Sequence, residues 1–277
     1  MTGGVSGRIM DTERTERLLG AEAIERIRSS RILLMGLGGV GSWCAEALVR
    51  AGVEHIGLVD FDVVSSSNFN RQLGALRSTL GRRKVDVIRD RILDINPQVS
   101  VAVFPVKFTA ETSKEVPLSD WDLVIDAIDL VSAKVHLAVC CSQAGIPLYS
   151  AMGGGNKLDP ARFAITDLAS TNRCPLAKIM RKRLRKFGIT HLKVVASDEE
   201  PRLPLTLETG RFVAAGTLST VVGTEGILLA HAVLRDLIGK PVAPLGCDEH
   251  GRESVQRQMT SRHGQRRGGE GRESRQP

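Results

Sequence analysis

Residues 31–42 read RILLMGLGGVGS, and the rest of the chain is organised around them. Ile32 to Met35 are four consecutive apolar residues, which predict a buried parallel strand. Gly36, Gly38 and Gly41 then follow at the spacing G-x-G-x-x-G, and residues 43–50 carry the apolar pattern of a helix. Glycine is needed where a strand turns tightly into a helix whose N-terminal amides must approach a phosphate. The motif alone implies a nucleotide, with a dinucleotide such as NAD as its ordinary occupant.

Working outward, residues 12–27 predict one helix, with Leu18, Leu19, Ile24 and Ile27 apolar. Gly52 closes the helix after the glycine turn, and residues 55–59 (HIGLV) form a second buried strand ending in Asp60, Phe61 and Asp62. Asp60 stands 19 residues after Gly41, where dinucleotide-binding folds place the acid that holds a ribose hydroxyl. A polar loop, VVSSSNFNRQ, leads to a helix over residues 81–95 that Asn96 and Pro97 stop. Strands follow over residues 99–104, 123–128 and 146–150, with a helix over 132–144. Beyond Gly155, strands are expected at residues 162–168 and 191–196, a basic helix at 175–187, and an apolar helix, interrupted by glycines, over 212–238. This alternation predicts an α/β fold, a Rossmann-like, mainly parallel sheet with ligands at the strand C-terminal ends.

Composition narrows the classes further. The chain has 277 residues, 42% of them hydrophobic and 25% charged, as in ordinary globular domains. Its five cysteines form no C-x-x-C pair, so neither a disulfide framework nor a structural zinc site is indicated. The first residues place charges where a signal peptide needs an apolar run, which points to the cytoplasm. Glu225, His231 and Arg235 interrupt residues 212–238, so no membrane span is expected. The formal charge is +7, and residues 173–193 hold eight Lys or Arg and no acid. Such a run permits a polyanionic partner.

The polar residues after the second strand point past NAD. Arg71 and Lys84 are two cations near a glycine turn, suited to a triphosphate whose departing pyrophosphate needs neutralising. The segment VIDAIDL places Asp126 and Asp129 at a strand end facing the same place, and Asp129 is a candidate magnesium anchor.

GLGGVGS, LVDFDVVSSSNFNRQ, the GRRK helix start and VIDAIDL, in this order and spacing, resemble the ubiquitin-activating-enzyme-like (ThiF-like) superfamily. NRQLGALRSTLGRRK, RILDINP, IPLYSAMGGGNKLDP, TDLAS and PLAKIMRKRLRKFGI are similar to one branch, the tRNA threonylcarbamoyladenosine dehydratases. The resemblance implies an adenylating enzyme that uses ATP and Mg2+. It implies that Gly36, Gly38, Gly39, Gly41 and Ser42 cradle the phosphates and that Asp60, with Asp62 beside it, serves the ribose. Asn68, Arg71 and Lys84 would hold phosphates, Asp129 the metal, and Asp126 would support the strand end. It implies a homodimer in which an N-terminal arginine, Arg17 before Arg14, reaches the partner subunit's ATP, with sulfur-transfer proteins as possible accessories. The basic run, with Lys178, Arg181, Lys182, Arg183, Arg185 and Lys186, is assigned to tRNA, and its helix is expected to dock through Leu176, Ile179, Met180, Leu184 and Phe187.

The expected organisation is an N-terminal helical segment over residues 1–30, an adenylation domain over 31–245 with a basic crossover region at 158–210, and a disordered polar tail over 246–277. Two other functions stay open at this point. An activating enzyme for a small carrier protein would use Cys174, which lies in the crossover where some superfamily members carry a nucleophile. A non-enzymatic nucleotide-binding scaffold would need no Arg71, Lys84 and Asp129 set.

Overall fold

The computed structural model describes residue 10, residues 12–202 and residues 215–239. The N-terminal helix expected over residues 12–27 is two helices, α1 (Glu13–Leu19) and α2 (Ala21–Ser29). Gly20 separates them at φ 85°, a conformation that side-chain-bearing residues avoid. α1 has no buried residues, whereas α2 buries Ala23, Ile24 and Ile27 in the main core.

β1 (Arg31–Met35) follows, then α3 (Gly41–Arg50), β2 (His55–Val59), α4 (Lys84–Ile95), β3 (Ser100–Phe104), β4 (Leu123–Asp126) and α5 (Val131–Ala144). β5 (Leu148–Ala151), β6 (Phe163–Asp167), α6 (Pro175–Leu184), β7 (Lys193–Ser197) and α7 (Ser219–Leu237) complete the described chain. α4 begins three residues later than its periodicity suggested, because Gly81–Arg83 form the turn that carries Val63 onto Arg83 in an isolated antiparallel bridge.

The sheet order is β3-β2-β1-β4-β5-β7-β6, parallel throughout except for the β6–β7 pair. β1 is therefore flanked by β2 on one side and β4 on the other, with Leu33 opposite Gly57 and Val124. Its residues Ile32, Leu33, Leu34 and Met35 are fully buried, which is why the strand reads as an unbroken apolar run. Chain direction reverses its spread on either side of β1, so a crevice opens at the C-terminal ends of β1, β2 and β4.

α7 closes the fold. It packs across α3 so tightly that a Cβ on Gly226 would sit 2.2 Å from the Val40 carbonyl oxygen. Arg26 of α2 donates through Nε to the Leu237 carbonyl at 2.8 Å and through Nη2 to the Ile238 carbonyl at 3.2 Å. These bonds satisfy carbonyls that the end of α7 leaves without helical partners. Among the described residues no helix is long and apolar enough to cross a membrane. The tail expected beyond Gly246 lies outside the described residues.

Candidate nucleotide site

The glycine turn is built by mutual exclusion of side chains. Gly36 leaves β1 at φ 90°, its N–H donating to the Val59 carbonyl at 2.7 Å. A Cβ on Gly41 would lie 1.8 Å from the Gly36 carbonyl oxygen, and one on Gly36 would lie 2.7 Å from the Ala127 carbonyl oxygen. The turn, the first residue of α3 and the segment after β4 are thus pressed together at backbone distance. The amides at the start of α3 face the crevice with the positive end of the helix dipole.

Asp60 fastens this turn. Its Oδ2 accepts the Leu37 N–H at 2.7 Å and its Oδ1 accepts the Asp62 N–H at 2.8 Å. Burial raises the Asp60 pKa, and the nearby Lys84 charge opposes the rise. Each oxygen retains a second lone pair for an incoming hydroxyl. Lys84, the first residue of α4, is buried and pairs through Nζ with Asp62 Oδ2 at 2.7 Å. Asp62 is half-exposed, so this ion pair lines the crevice rather than the core.

The loop after β2 supplies the opposite wall. Ser42 Oγ donates to the Gly38 carbonyl at 2.7 Å and accepts the Leu73 N–H at 3.1 Å, stitching the loop to the glycine turn. Trp43 Nε1 donates to the Arg71 carbonyl at 3.2 Å, and the Arg71 stem lies over Gly39. The Arg71 guanidinium donates to the Ser67 carbonyl at 2.8 Å and to Asn70 Oδ1 at 2.9 Å. Asn68 is buried and turned inward, accepting the Ser65 N–H at 3.0 Å, so it shapes the loop.

Asp126 supports the end of β4 from inside the fold and does not face the crevice beside Asp129. It is fully buried, with Ser150 Oγ donating to its Oδ2 at 2.7 Å, the Ile128 N–H to its Oδ1 at 3.1 Å, and Lys134 Nζ ion-paired at 2.8 Å. Its carboxylate is engaged inside the fold, where losing Lys134 would strand a buried charge. Asp129, three residues on, is exposed just past the strand end.

The remaining expected residues separate by environment. Arg17 is exposed on α1 and ion-paired with Glu13. Lys178, Lys182, Arg183, Arg185 and Lys186 are exposed on or just after α6. Arg181 is not part of that surface. Its Nη1 donates to the Leu168 carbonyl at 3.1 Å, the Thr171 carbonyl at 2.8 Å and Thr171 Oγ1, so it fastens α6 to the preceding loop. Ile179 and Phe187 also depart from the expected docking side, being 43% and 57% exposed, while Ala177, Met180 and Leu184 form the buried face. Cys174 is buried, and its thiol donates to the Met152 carbonyl at 3.3 Å. A thiol enclosed and engaged in this way is a poor nucleophile, which removes the main support for a covalent carrier-protein reaction.

Several buried polar residues were not among the expected site residues. Lys134 is the one lysine in the apolar helix α5, and Glu225 and Lys157 are both buried near the residue 153–157 stretch. A charge isolated in an apolar helical pattern is the signal that marks Lys134 and Glu225.

The chain matches the model of the ThiF family over residues 12–266. The chain belongs to the ThiF family. A tRNA threonylcarbamoyladenosine dehydratase of Bacillus subtilis is 46% identical over 189 residues, covering 68% of this chain and 74% of that protein. The Escherichia coli protein of the same name is 41% identical over 176 residues, 63% of this chain and 66% of its own length. A crystal structure of the E. coli tRNA N6-threonylcarbamoyladenosine dehydratase in complex with AMP superposes with a TM-score of 0.75 at 35% identity, covering 82% of this ThiF-family chain and 93% of that one. The same enzyme has been solved with ATP, at the same TM-score of 0.75.

Proposed function

We propose that this ThiF-family chain is an ATP-dependent tRNA threonylcarbamoyladenosine dehydratase. The observation that carries the reading is the convergence of the residue 36–41 turn, Asp60, Lys84, Arg71 and Asp129 at the ends of β1, β2 and β4. That set suits a nucleoside triphosphate better than a dinucleotide, in a chain resembling dehydratases solved with AMP and ATP.

The chemistry follows from a poor electrophile. The substrate carboxylate attacks the α-phosphorus of ATP, pyrophosphate leaves, and an acyl-adenylate forms. A neighbouring atom of the same threonylcarbamoyl group then attacks the activated carbon, AMP leaves, and a ring closes with the net loss of one water. Both reacting groups belong to one substituent, so proximity replaces an enzyme nucleophile. The glycine-turn amides receive the phosphates, Asp60 orients the ribose, and Arg71 and Lys84 neutralise the departing pyrophosphate. Among the described residues no cluster of three or more His, Cys, Asp or Glu could hold a metal alone. An exposed Asp129 beside a phosphate cradle nevertheless fits Mg2+, which takes one or two carboxylates and fills its shell with phosphate oxygens and water. When bound there it would add charge neutralisation at the pyrophosphate.

The wider reading includes the cytoplasm as location and a homodimer, supported by α1, which buries no residue of its own and leaves Leu18 79% exposed. The test is mass analysis of the modified nucleoside after incubation of threonylcarbamoyl-bearing tRNA with the protein and ATP. Loss of one water with stoichiometric AMP is expected. An unchanged nucleoside mass refutes the assignment.

A further inference from the structure

α6 and the single helical turn after it present two unlike faces. Ala177, Met180 and Leu184 are buried in a core cluster, and Arg181 bonds the loop beside them. On the other side stand Ile179, Lys182, Arg183, Lys186 and Phe187, with Lys178 and Arg185 at the margins. Ile179, Arg183 and Phe187 recur at steps of four, so they align along one helical face.

The cations on this face are unlike most others among the described residues. Arg50 and Arg91 pair with Glu46, Arg82 and Arg89 with Asp90, and Arg162 with Asp198. Among the described residues Lys178, Lys182, Arg183, Arg185 and Lys186 have no acidic partner within ion-pair distance. Five unpaired positive charges on one short track are a site for a polyanion.

Phe187 is held at the end of that track by the backbone. Gly188 adopts φ 75°, its N–H donating to the Arg185 carbonyl at 3.2 Å, and the Ile189 N–H donates to the Leu184 carbonyl at 3.2 Å. Ile189 itself packs against the buried cluster, which fixes the turn. The phenylalanine ring, 57% exposed, therefore projects from a fixed cap rather than from a fraying end. A track of cations for phosphates and a rigid aromatic face for a base are the two parts of a single-strand nucleic-acid contact.

We propose that Phe187 stacks on an unpaired base of the substrate tRNA while Lys182, Arg183 and Lys186 hold the adjoining phosphates. This rests on the dehydratase reading, in which the modified adenosine lies beside the anticodon, in a loop whose bases have open faces. A protein partner would want acids to meet these cations, and a duplex would offer the ring no free base.

The test is binding of threonylcarbamoyl-bearing tRNA to the full-length chain across a salt series. Phe187→Ala should weaken binding by about tenfold or more. Its salt slope should match the wild type, because no charge is lost. Phe187→Trp should bind as the wild type does, whereas Phe187→Leu, apolar but without a π face, should behave like Phe187→Ala. Melting temperatures should stay unchanged for all three. A wild-type chain that binds no tRNA refutes the dehydratase reading itself. Wild-type tRNA binding with Phe187→Ala or Phe187→Leu equally tight refutes stacking alone.

Discussion

Replacing Glu225 by glutamine should remove a pH dependence of stability that the fold imposes on itself. Glu225 lies on α7, fully buried; its Oε1 accepts the Gly153 N–H at 2.8 Å, and its Oε2 has no hydrogen-bond partner. Burial pushes its pKa from 4.5 to about 7, although the Gly153 amide and the charges of Lys157 and Lys134 favour the ionised form. Below pH 4.5 both folded and unfolded chains hold the proton. Between 4.5 and about 7 the folded chain keeps a proton the unfolded chain has released, so stability falls as pH rises. Above that range the loss is complete. At about 1.4 kcal/mol per pH unit the loss is about 3 kcal/mol, or about 10 °C in melting temperature for a domain of this size. The assay is thermal unfolding of wild type and Glu225→Gln from pH 4 to pH 8. The difference between the two curves isolates this carboxyl from every other titrating group. The wild type should lose stability relative to the variant as pH rises, and parallel curves would refute the reasoning.

Other substitutions test the site and its surroundings. Gly41→Ala places a Cβ 1.8 Å from the Gly36 carbonyl oxygen, so the turn must open, and KM for ATP should rise by about 100-fold or more in AMP-release assays. Arg181→Ala removes the bonds to Leu168 and Thr171, and should lower the melting temperature by about 5 °C while leaving the salt slope of tRNA binding unchanged. The triple variant of Lys182, Arg183 and Lys186 to alanine should do the reverse, reducing that slope by about 2 to 3 without lowering the melting temperature. Cys174→Ala should retain full turnover, since the thiol is 4% exposed; lost turnover would reinstate a covalent intermediate.

The parallel sheet was legible because its central strands are buried on both faces and therefore spell continuous apolar runs, as at Ile32 to Met35. The glycine turn was legible for a related reason: only glycine satisfies distances such as those between residues 36 and 41. Polar residues were harder, because a side chain's type does not say which way it points. Asp126 and Asp129 are two acids of one short segment, yet one is locked to Lys134 and the other is exposed. Arg181 and Arg183 are two cations of one run, and only the second is free of the fold. Direction depends on helix phase and on loops whose shape is set by distant partners, such as Thr171 for Arg181. The break at Gly20 was hidden by a helical pattern that continues across it.

The seat of α7 on α3 has a consequence for how the chain is made. Every group assigned to the chain's own nucleotide lies between Gly36 and Asp129, and all have left the ribosome before Ser219 is added. Until then α3 lacks the helix that meets it at Val40 and Trp43 through Gly226 and Gly223. A nascent chain therefore carries a complete set of nucleotide groups on a scaffold with one apolar flank open to aggregation. A message cut short before α7 should yield a product that chaperones retain. Among the described residues, the last helix to be synthesised is the one that covers α3.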